Sequence, residues 1–496
     1  MASSVSSTSK SKLHSVIAIT GATGTMGKAT VEELLRKKDK VTHLKLLIRP
    51  SKKNRKLVKK WLTYTNVEVI WGDLFDIPKI KQLVFRADIV LHIGGLVSPK
   101  ADYVPELTLK VNVESVKNLI CAITDLNQID TTRFVYIGSV AQYGSRAIPL
   151  HWGGPGDPML PALYDYYALS KILAERIVAE SKLKRWVSLR QSAILSKELL
   201  YKGNSPITFH VPLNGVLEWS TIEDTVSLMV AVCKIDVSEE IWGHFFDIGS
   251  GSSFRLTNYE FESMLLRALY CPPPEKVFEA SWFAHRNFHG IWYWSSDHLN
   301  QLVPFRKGIT AEEYFINMAK SLPTYFKLAG IIPSGIIKMF MKYVASDRHF
   351  GTLGWRKENN ETLLKAFFIP GITNNNWSQA LIVPKPDTKD KNYKILDLGY
   401  DRWKPFRELS LKDMQSLAIR RGGECLSESM KDGDIKTPLT WKCSVGHVFN
   451  TSPTVVALGG HWCPECSPWP TSDMAKKDPL IHDIYMSTHN KEELND

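Results

Sequence analysis

No apolar run in this 496-residue chain is long enough to span a bilayer, so no transmembrane segment is expected. The nearest approach, Leu328 to Val344, is interrupted by Pro333, Lys338 and Lys342. It reads as a packed or surface helix, with an interfacial role left open. The first residues are rich in Ser and Lys and lack the apolar centre of a signal peptide, so 1–14 are expected to be a disordered tail. Cysteine is sparse over most of the chain: of seven, Cys121, Cys233 and Cys271 stand alone. No disulfide framework is suggested, which points to a reducing, cytoplasmic setting. Internal repeats are absent. The net charge is +11. That balance suits anionic ligands, nucleic acid or an acidic membrane surface. The densest basic cluster, Lys52, Lys53, Arg55, Lys56, Lys59 and Lys60, reads as the solvated face of a helix. No nucleic-acid partner is expected.

Hydrophobic residues make up 44% and charged residues 23%, the balance of a soluble globular chain with room for two or three domains. The stretch Val16 to Gly27, VIAITGATGTMG, organises it. Val16 to Ile19 read as a buried strand. Gly21, Gly24 and Gly27 follow, and then a helix-compatible run to Arg36. Glycines between a strand and a helix start let backbone N–H groups approach a pyrophosphate. Strand-like runs at Leu44–Ile48, Val67–Ile70, Ile89–His92, Phe134–Ile137 and Val187–Leu189 alternate with helix-like runs at Lys53–Leu62, Ile80–Phe85, Leu107–Leu126 and Tyr167–Leu183. The alternation predicts a parallel sheet covered by helices on both faces, a doubly wound α/β fold of Rossmann type. Beyond it, Ile207–Leu217 is expected to be extended and Phe245–Ile248 a strand. Ile222–Cys233, Asn258–Leu269 and Ala311–Lys320 are expected to be helices. Such additions build a substrate cap.

Tyr167 and Lys171 are four residues apart, so a helix places them on one face. A phenol is a weak acid–base group at neutral pH, and a neighbouring cation favours its phenolate. Ser139 follows the fifth strand-like run, where open α/β folds gather their ligands. A hydroxyl there can orient a carbonyl or an alcohol.

With TGATGTMG, Gly72-Asp73-Leu74, LHIGGLVSP, Asn112 in VNVESVKNLI, GSVAQYG, YYALSK, Leu189-Arg190, Ile222-Glu223-Asp224 and FDIGSGSSFRLT in view, the chain resembles the extended short-chain dehydrogenase/reductase superfamily. Within it the chain resembles the NAD-dependent epimerase/dehydratase group, over roughly residues 15–320. The resemblance implies that Gly21, Thr23, Gly24, Thr25, Met26 and Gly27 hold a dinucleotide pyrophosphate and that Asp73 and Leu74 flank its adenine. It makes Tyr167 the acid–base residue, with Lys171 tuning it and holding the nicotinamide ribose. Ser139 would orient the reacting oxygen, and Asn112 would support the active-site helix or a proton relay. Arg49 stands where NAD-preferring members usually carry an acid. With Lys52 or Lys53 behind it, Arg49 favours NADP, while NAD stays open. The implied activity is hydride transfer between NADP(H) and a ketone or alcohol of a medium-sized organic substrate. Two other readings are kept: a nucleotide-sugar epimerase or dehydratase with tightly held NAD, and a non-catalytic scaffold that senses cofactor.

Four cysteines fall after residue 424. Cys443 and His447 form one pair, Cys463 and Cys466 another, and two such pairs suit a closed tetrahedral zinc site of structural type. The stretch resembles zinc-ribbon or treble-clef modules with W-x-C-x-x-G-H followed by C-P-x-C. Cys425 is the rival to His447. The expected layout is a 15–345 extended dehydrogenase domain (core about 15–195, cap about 196–345), a 346–395 connection that includes the polar stretch Asn374–Lys391, and a 396–496 zinc-binding module with its tail. A homodimer, and a protein partner for the zinc module, are left open.

Overall fold

The computed structural model describes residues 12–37, 42–98, 100–201, 205–372, 377 and 394–495. Residues 1–11 of the expected tail and nearly all of the polar stretch at 374–391 lie outside the described residues. Leu13 and His14, assigned to that tail by sequence, are buried; Leu13 bridges to Lys234, and the His14 amide donates to the Cys233 carbonyl.

Val16 to Ile19 are apolar at every position because their strand is covered on both sides. Ile17 and Ile19 face one core cluster, and Ala18 faces the other. The sheet has seven strands: β1 (Val16–Thr20), β2 (His43–Ile48), β3 (Val67–Trp71), β4 (Ile89–His92), β5 (Arg133–Ser139), β6 (Trp186–Gln191) and β7 (His244–Ile248). All pairs are parallel, in the order β3-β2-β1-β4-β5-β6-β7. The run at Phe245–Ile248 is thus the outer strand of the same sheet, with Phe246 opposite Leu189.

Helices α1 (Thr25–Arg36), α2 (Ser115–Asp125), α3 (Tyr166–Ala179) and α4 (Ile222–Ala231) cover the sheet. Val31 and Leu34 of α1 pack with Leu228 and Met229 of α4 on one face. Leu119 of α2 packs with Ala174 and Val178 of α3 on the other. The long helix expected over 107–126 is broken by a five-residue π-helix at Lys110–Glu114. Such an insertion re-aims a side chain and is frequent at functional sites; here it carries Asn112. The extended run expected at 207–217 is a correction. Pro206 presets a 3-10 turn over Pro206–Phe209, capped by Ser205, and only Val216–Glu218 is a strand.

Helix α5 (Ser334–Ala345) lies on the surface of the cap, as its lysines imply. Met341 and Val344 are buried, while Met339 and Tyr343 face solvent. No helix among the described residues is long and apolar enough to cross a membrane. In the segment expected to connect, helices Thr352–Lys357 and Glu361–Phe367 pack Trp355 and Phe367 against Ala284 of the cap.

The C-terminal module is built on α6 (Leu411–Arg420) and an antiparallel sheet of β8 (Glu424–Cys425), β9 (Leu439–Lys442) and β10 (Val448–Thr451). Trp441 fills its core and donates its indole N–H to the Thr451 carbonyl at 3.0 Å.

Candidate active site

The strand order reverses between β2 and β4, on either side of β1. A crevice opens at such a switch point, outside the strand ends. Gly21 lines it with φ +71°, and a Cβ there would stand 2.6 Å from the Gly94 nitrogen. A Cβ on Gly27 would stand 2.2 Å from the Gly21 carbonyl oxygen. These two positions admit only glycine, and their tightness brings the backbone turn down onto the start of α1. Gly24 is the N-cap of α1 and supplies no side-chain cap, so the first amides of the helix are left for a ligand. Thr23 sits half-buried in the turn. Met26 turns its side chain into the core. The Thr25 hydroxyl donates to Glu198 of the cap. A Gly21→Val substitution is expected to abolish dinucleotide binding, measured by titration of nicotinamide fluorescence, because it needs both a left-handed β-branched residue and the volume of Gly94.

Leu47 is the register partner of Thr20, so Arg49, two residues further on, stands beside the glycine turn. It is exposed, as are Lys52 and Lys53. Beyond β3, Asp73 accepts from the Phe75 amide at 2.8 Å, while Leu74 packs into the core and its carbonyl accepts from Asn118. Both residues therefore shape the turn that follows the strand.

On α3, Asp165 caps the helix by accepting from the Ala168 amide at 2.8 Å. The Lys171 ammonium lies 6.0 Å from the Tyr167 ring centre and donates to the Ile137 carbonyl at 2.8 Å. Ser139 caps the short turn Val140–Tyr143, and its hydroxyl stands close enough to the Tyr167 phenol to favour the phenolate. Burial pushes the Tyr167 phenol up to about 12, against the pull of the Ser139 hydroxyl, and nearby Asp165 and Asp102 push the same way as burial. Burial pushes Lys171 down to about 8. The buried Asn112 donates to the Ser170 hydroxyl at 2.8 Å and clamps the Leu96 backbone through both its amide and its carbonyl. It thereby fixes α3 to the loop after β4. A Cβ on Gly95 would stand 2.8 Å from the Asn112 oxygen, so the glycine makes room for this clamp.

Three residues around Tyr167 were not singled out from sequence. Asp165 pairs with His289 at 2.9 Å, and Asp102 accepts from Ser98 at 3.1 Å. Burial and then Asp165 raise Asp102 to about 6. The cap position of Asp165, just before a helix, is a readable signal. His289 and Asp102 come from distant segments and leave none.

In the C-terminal module Cys443, His447, Cys463 and Cys466 bring their ligand atoms within 4.8 Å of one another. The Cys466–Cys443 sulfurs are 3.6 Å apart, and His447 Nδ1 is 3.5 Å from both Cys463 and Cys466. A tetrahedron with zinc-like bond lengths has edges of about 3.8 Å between sulfurs and about 3.6 Å from sulfur to nitrogen. The spacing therefore fits such an ion, and it is far too long for a disulfide. Cys425, buried in the same hydrophobic cluster as Cys443, is not part of this quartet.

Residues 17–240 match the NAD dependent epimerase/dehydratase family. Human 3 beta-hydroxysteroid dehydrogenase type 7 is 27% identical over 173 residues, which is 34% of this chain and 44% of that protein. The chain thus matches less than half the length of this relative. Among solved structures, dTDP-glucose 4,6-dehydratase from Bacillus anthracis str. Ames in complex with NAD is 14% identical, with a TM-score of 0.50, covering 62% of this chain and 96% of that one. At that identity the likeness speaks for the fold.

Proposed function

We propose, from the match of residues 17–240 to the NAD dependent epimerase/dehydratase family, that this protein is an NAD(P)-dependent oxidoreductase acting between a ketone and an alcohol of a medium-sized organic substrate. The observation that carries the reading is the grouping of Tyr167, Lys171 and Ser139 beside a turn that admits only glycine at Gly21 and Gly27. The turn at Gly21, Gly24 and Gly27 and the uncapped start of α1 would hold the dinucleotide, which would supply the hydride. Tyr167 gives its phenolic proton to the carbonyl oxygen as the carbonyl is reduced. Ser139 holds that oxygen in line with the phenol. The Lys171 ammonium stabilises the phenolate that remains, and Asn112 keeps α3 in register with the loop after β4. Burial of the phenol favours its protonated form, which is the form that reduction needs.

Arg49 favours NADP as the cofactor, because its exposed guanidinium would pair with a 2′-phosphate. Arg49→Asp is expected to weaken NADPH binding about tenfold to a hundredfold, the value of one charge-assisted hydrogen bond, and to leave NADH binding within a few-fold. Fluorescence titration of both cofactors checks this. The family description equally suits a nucleotide-sugar epimerase or dehydratase that keeps NAD bound. Mass spectrometry of cofactor released from the denatured protein separates the two: retained NAD favours the epimerase, exchangeable NADPH the reductase.

The quartet Cys443, His447, Cys463 and Cys466 would hold zinc as a closed structural site, because four protein ligands leave no position for water. Cys466→Ser is expected to reduce bound metal from one equivalent to below about a tenth. Elemental analysis of the purified protein measures it.

A further inference from the structure

The C-terminal module rests on the back of α3, the helix that carries Tyr167 and Lys171. Glu175 follows Lys171 by one turn and is fully buried. It receives Arg190 from β6 through two bonds, at 2.7 and 3.1 Å, and Ser188 at 2.5 Å. His461 of the module completes this cluster, with Nε2 3.0 Å from the same carboxylate. Arg190 also donates to the Gly459 carbonyl at 2.7 Å. One residue on from Glu175, Arg176 donates to the Trp462 carbonyl. Thr451 reaches Glu180 at 2.9 Å, just past the end of α3, and Trp469 packs edge-on against Tyr166 at its start.

The module residues in this contact are not scattered. Gly459, His461 and Trp462 run directly into Cys463, and Trp469 follows Cys466 by three residues. The segment that grips α3 is therefore the same segment that supplies two of the four metal ligands. A Cys-Pro-Glu-Cys loop with its thiolates unligated loses what fixes its path. His461 and Trp462 are the first residues to feel that loss, and they are the ones bonded to Glu175 and Arg176.

We propose that a thiolate-bound divalent metal of the zinc class, held by Cys443, His447, Cys463 and Cys466, controls the oxidoreductase site through His461. With metal bound, the knuckle presses His461 and Trp462 onto Glu175 and Arg176, and α3 holds Tyr167 and Lys171 in the crevice. With metal removed, the grip opens and α3 loosens, while the glycine turn on β1 stays formed. His461 is a positioning residue in this scheme and does not touch substrate. The link to catalysis rests on the function proposed above; the link from metal to helix does not.

The test uses the full-length protein, with hydrogen exchange read by mass spectrometry on peptides covering α3 and β1. Chelation, Cys466→Ser and His461→Phe are each expected to speed exchange in α3 at least tenfold and to leave β1 within twofold. His461→Phe is expected to keep one equivalent of zinc, and His461→Gln, which retains a donor, to restore α3 protection. Where turnover is measurable, kcat falls at least tenfold in His461→Phe and the cofactor Kd moves less than twofold. Unchanged α3 exchange after metal loss overturns the proposal, as does unchanged α3 exchange in His461→Phe. Failure to take up zinc overturns it as well. Should metal loss unfold the whole chain, so that β1 also exchanges, His461→Phe decides, since its ligands are intact. Metal-dependent α3 exchange in a protein that binds no dinucleotide upholds the grip and rejects the oxidoreductase reading alone.

Discussion

Tyr167→Phe is expected to lower kcat by about 10²- to 10⁴-fold, the contribution of one positioned general acid, and to leave cofactor affinity within twofold. The exchange removes one oxygen from a side chain whose ring stays in place, so fold and crevice persist. The oxygen it removes is the one on which Ser139 acts. Steady-state rates of NADPH oxidation across a panel of ketones measure the effect. Unchanged turnover would reject Tyr167 as the proton donor. The pH profile carries a second signature of the same pair. Burial leaves Tyr167 at about 12 and Lys171 at about 8, so between these values the pair is neutral on both sides. As pH rises through about 8 the ammonium is lost, and with it the charge that stabilises the phenolate left by reduction. Reduction is therefore expected to slow above pH 8 by up to tenfold per unit, and Lys171→Met to remove that limb of the profile along with most of the rate.

Glu175→Ala is expected to cost about 3–5 kcal/mol of stability, the typical loss when one partner of a buried ion pair is removed. Arg190 is fully buried with it and would keep Tyr143 and the Gly459 carbonyl as its hydrogen-bond partners among the described residues. Denaturant unfolding of the full chain measures the loss as a lower midpoint, and a shift below about 1 kcal/mol would contradict the buried network. The pH dependence follows from the same cluster. Burial alone would raise the Glu175 carboxyl, but Arg190 overcomes it and holds the group far below the usual carboxylate range. A depressed carboxylate contributes stability that is present above its unfolded value of about 4.3 and is lost as pH falls below it. The wild-type chain is expected to lose stability in acid over that range, and Glu175→Gln to lose less.

Local chemistry made much of this arrangement readable before any coordinates. The glycine spacing at Gly21, Gly24 and Gly27 marks a turn whose shape excludes side chains, and two of the three positions do exclude them. The strands show because a parallel sheet buried on both faces needs apolar runs such as Ile89, Val90 and Leu91. The Cys443, His447, Cys463 and Cys466 quartet shows because a tetrahedral ion would restrict ligand spacing along the chain. What stayed hidden depends on contacts far apart in sequence. His461 and Glu175 are 286 residues apart, and nothing in the neighbourhood of either announces the pair. The cluster of Asp102, Asp165 and His289 near Tyr167 is likewise assembled from three segments. The run at 207–217 misled because apolar residues around prolines look extended, while a proline at the first position of a turn favours the turn.

Titrating the purified protein with NADPH, NADP, NADH and NAD, in parallel with Gly21→Val and Tyr167→Phe, tests the account at its centre. It predicts saturable binding of at least one of the four at one equivalent per chain, tightest for the phosphorylated pair, lost in Gly21→Val and kept in Tyr167→Phe. Absence of binding by all four to a folded, cofactor-free wild-type chain, or equal binding by Gly21→Val, would contradict it.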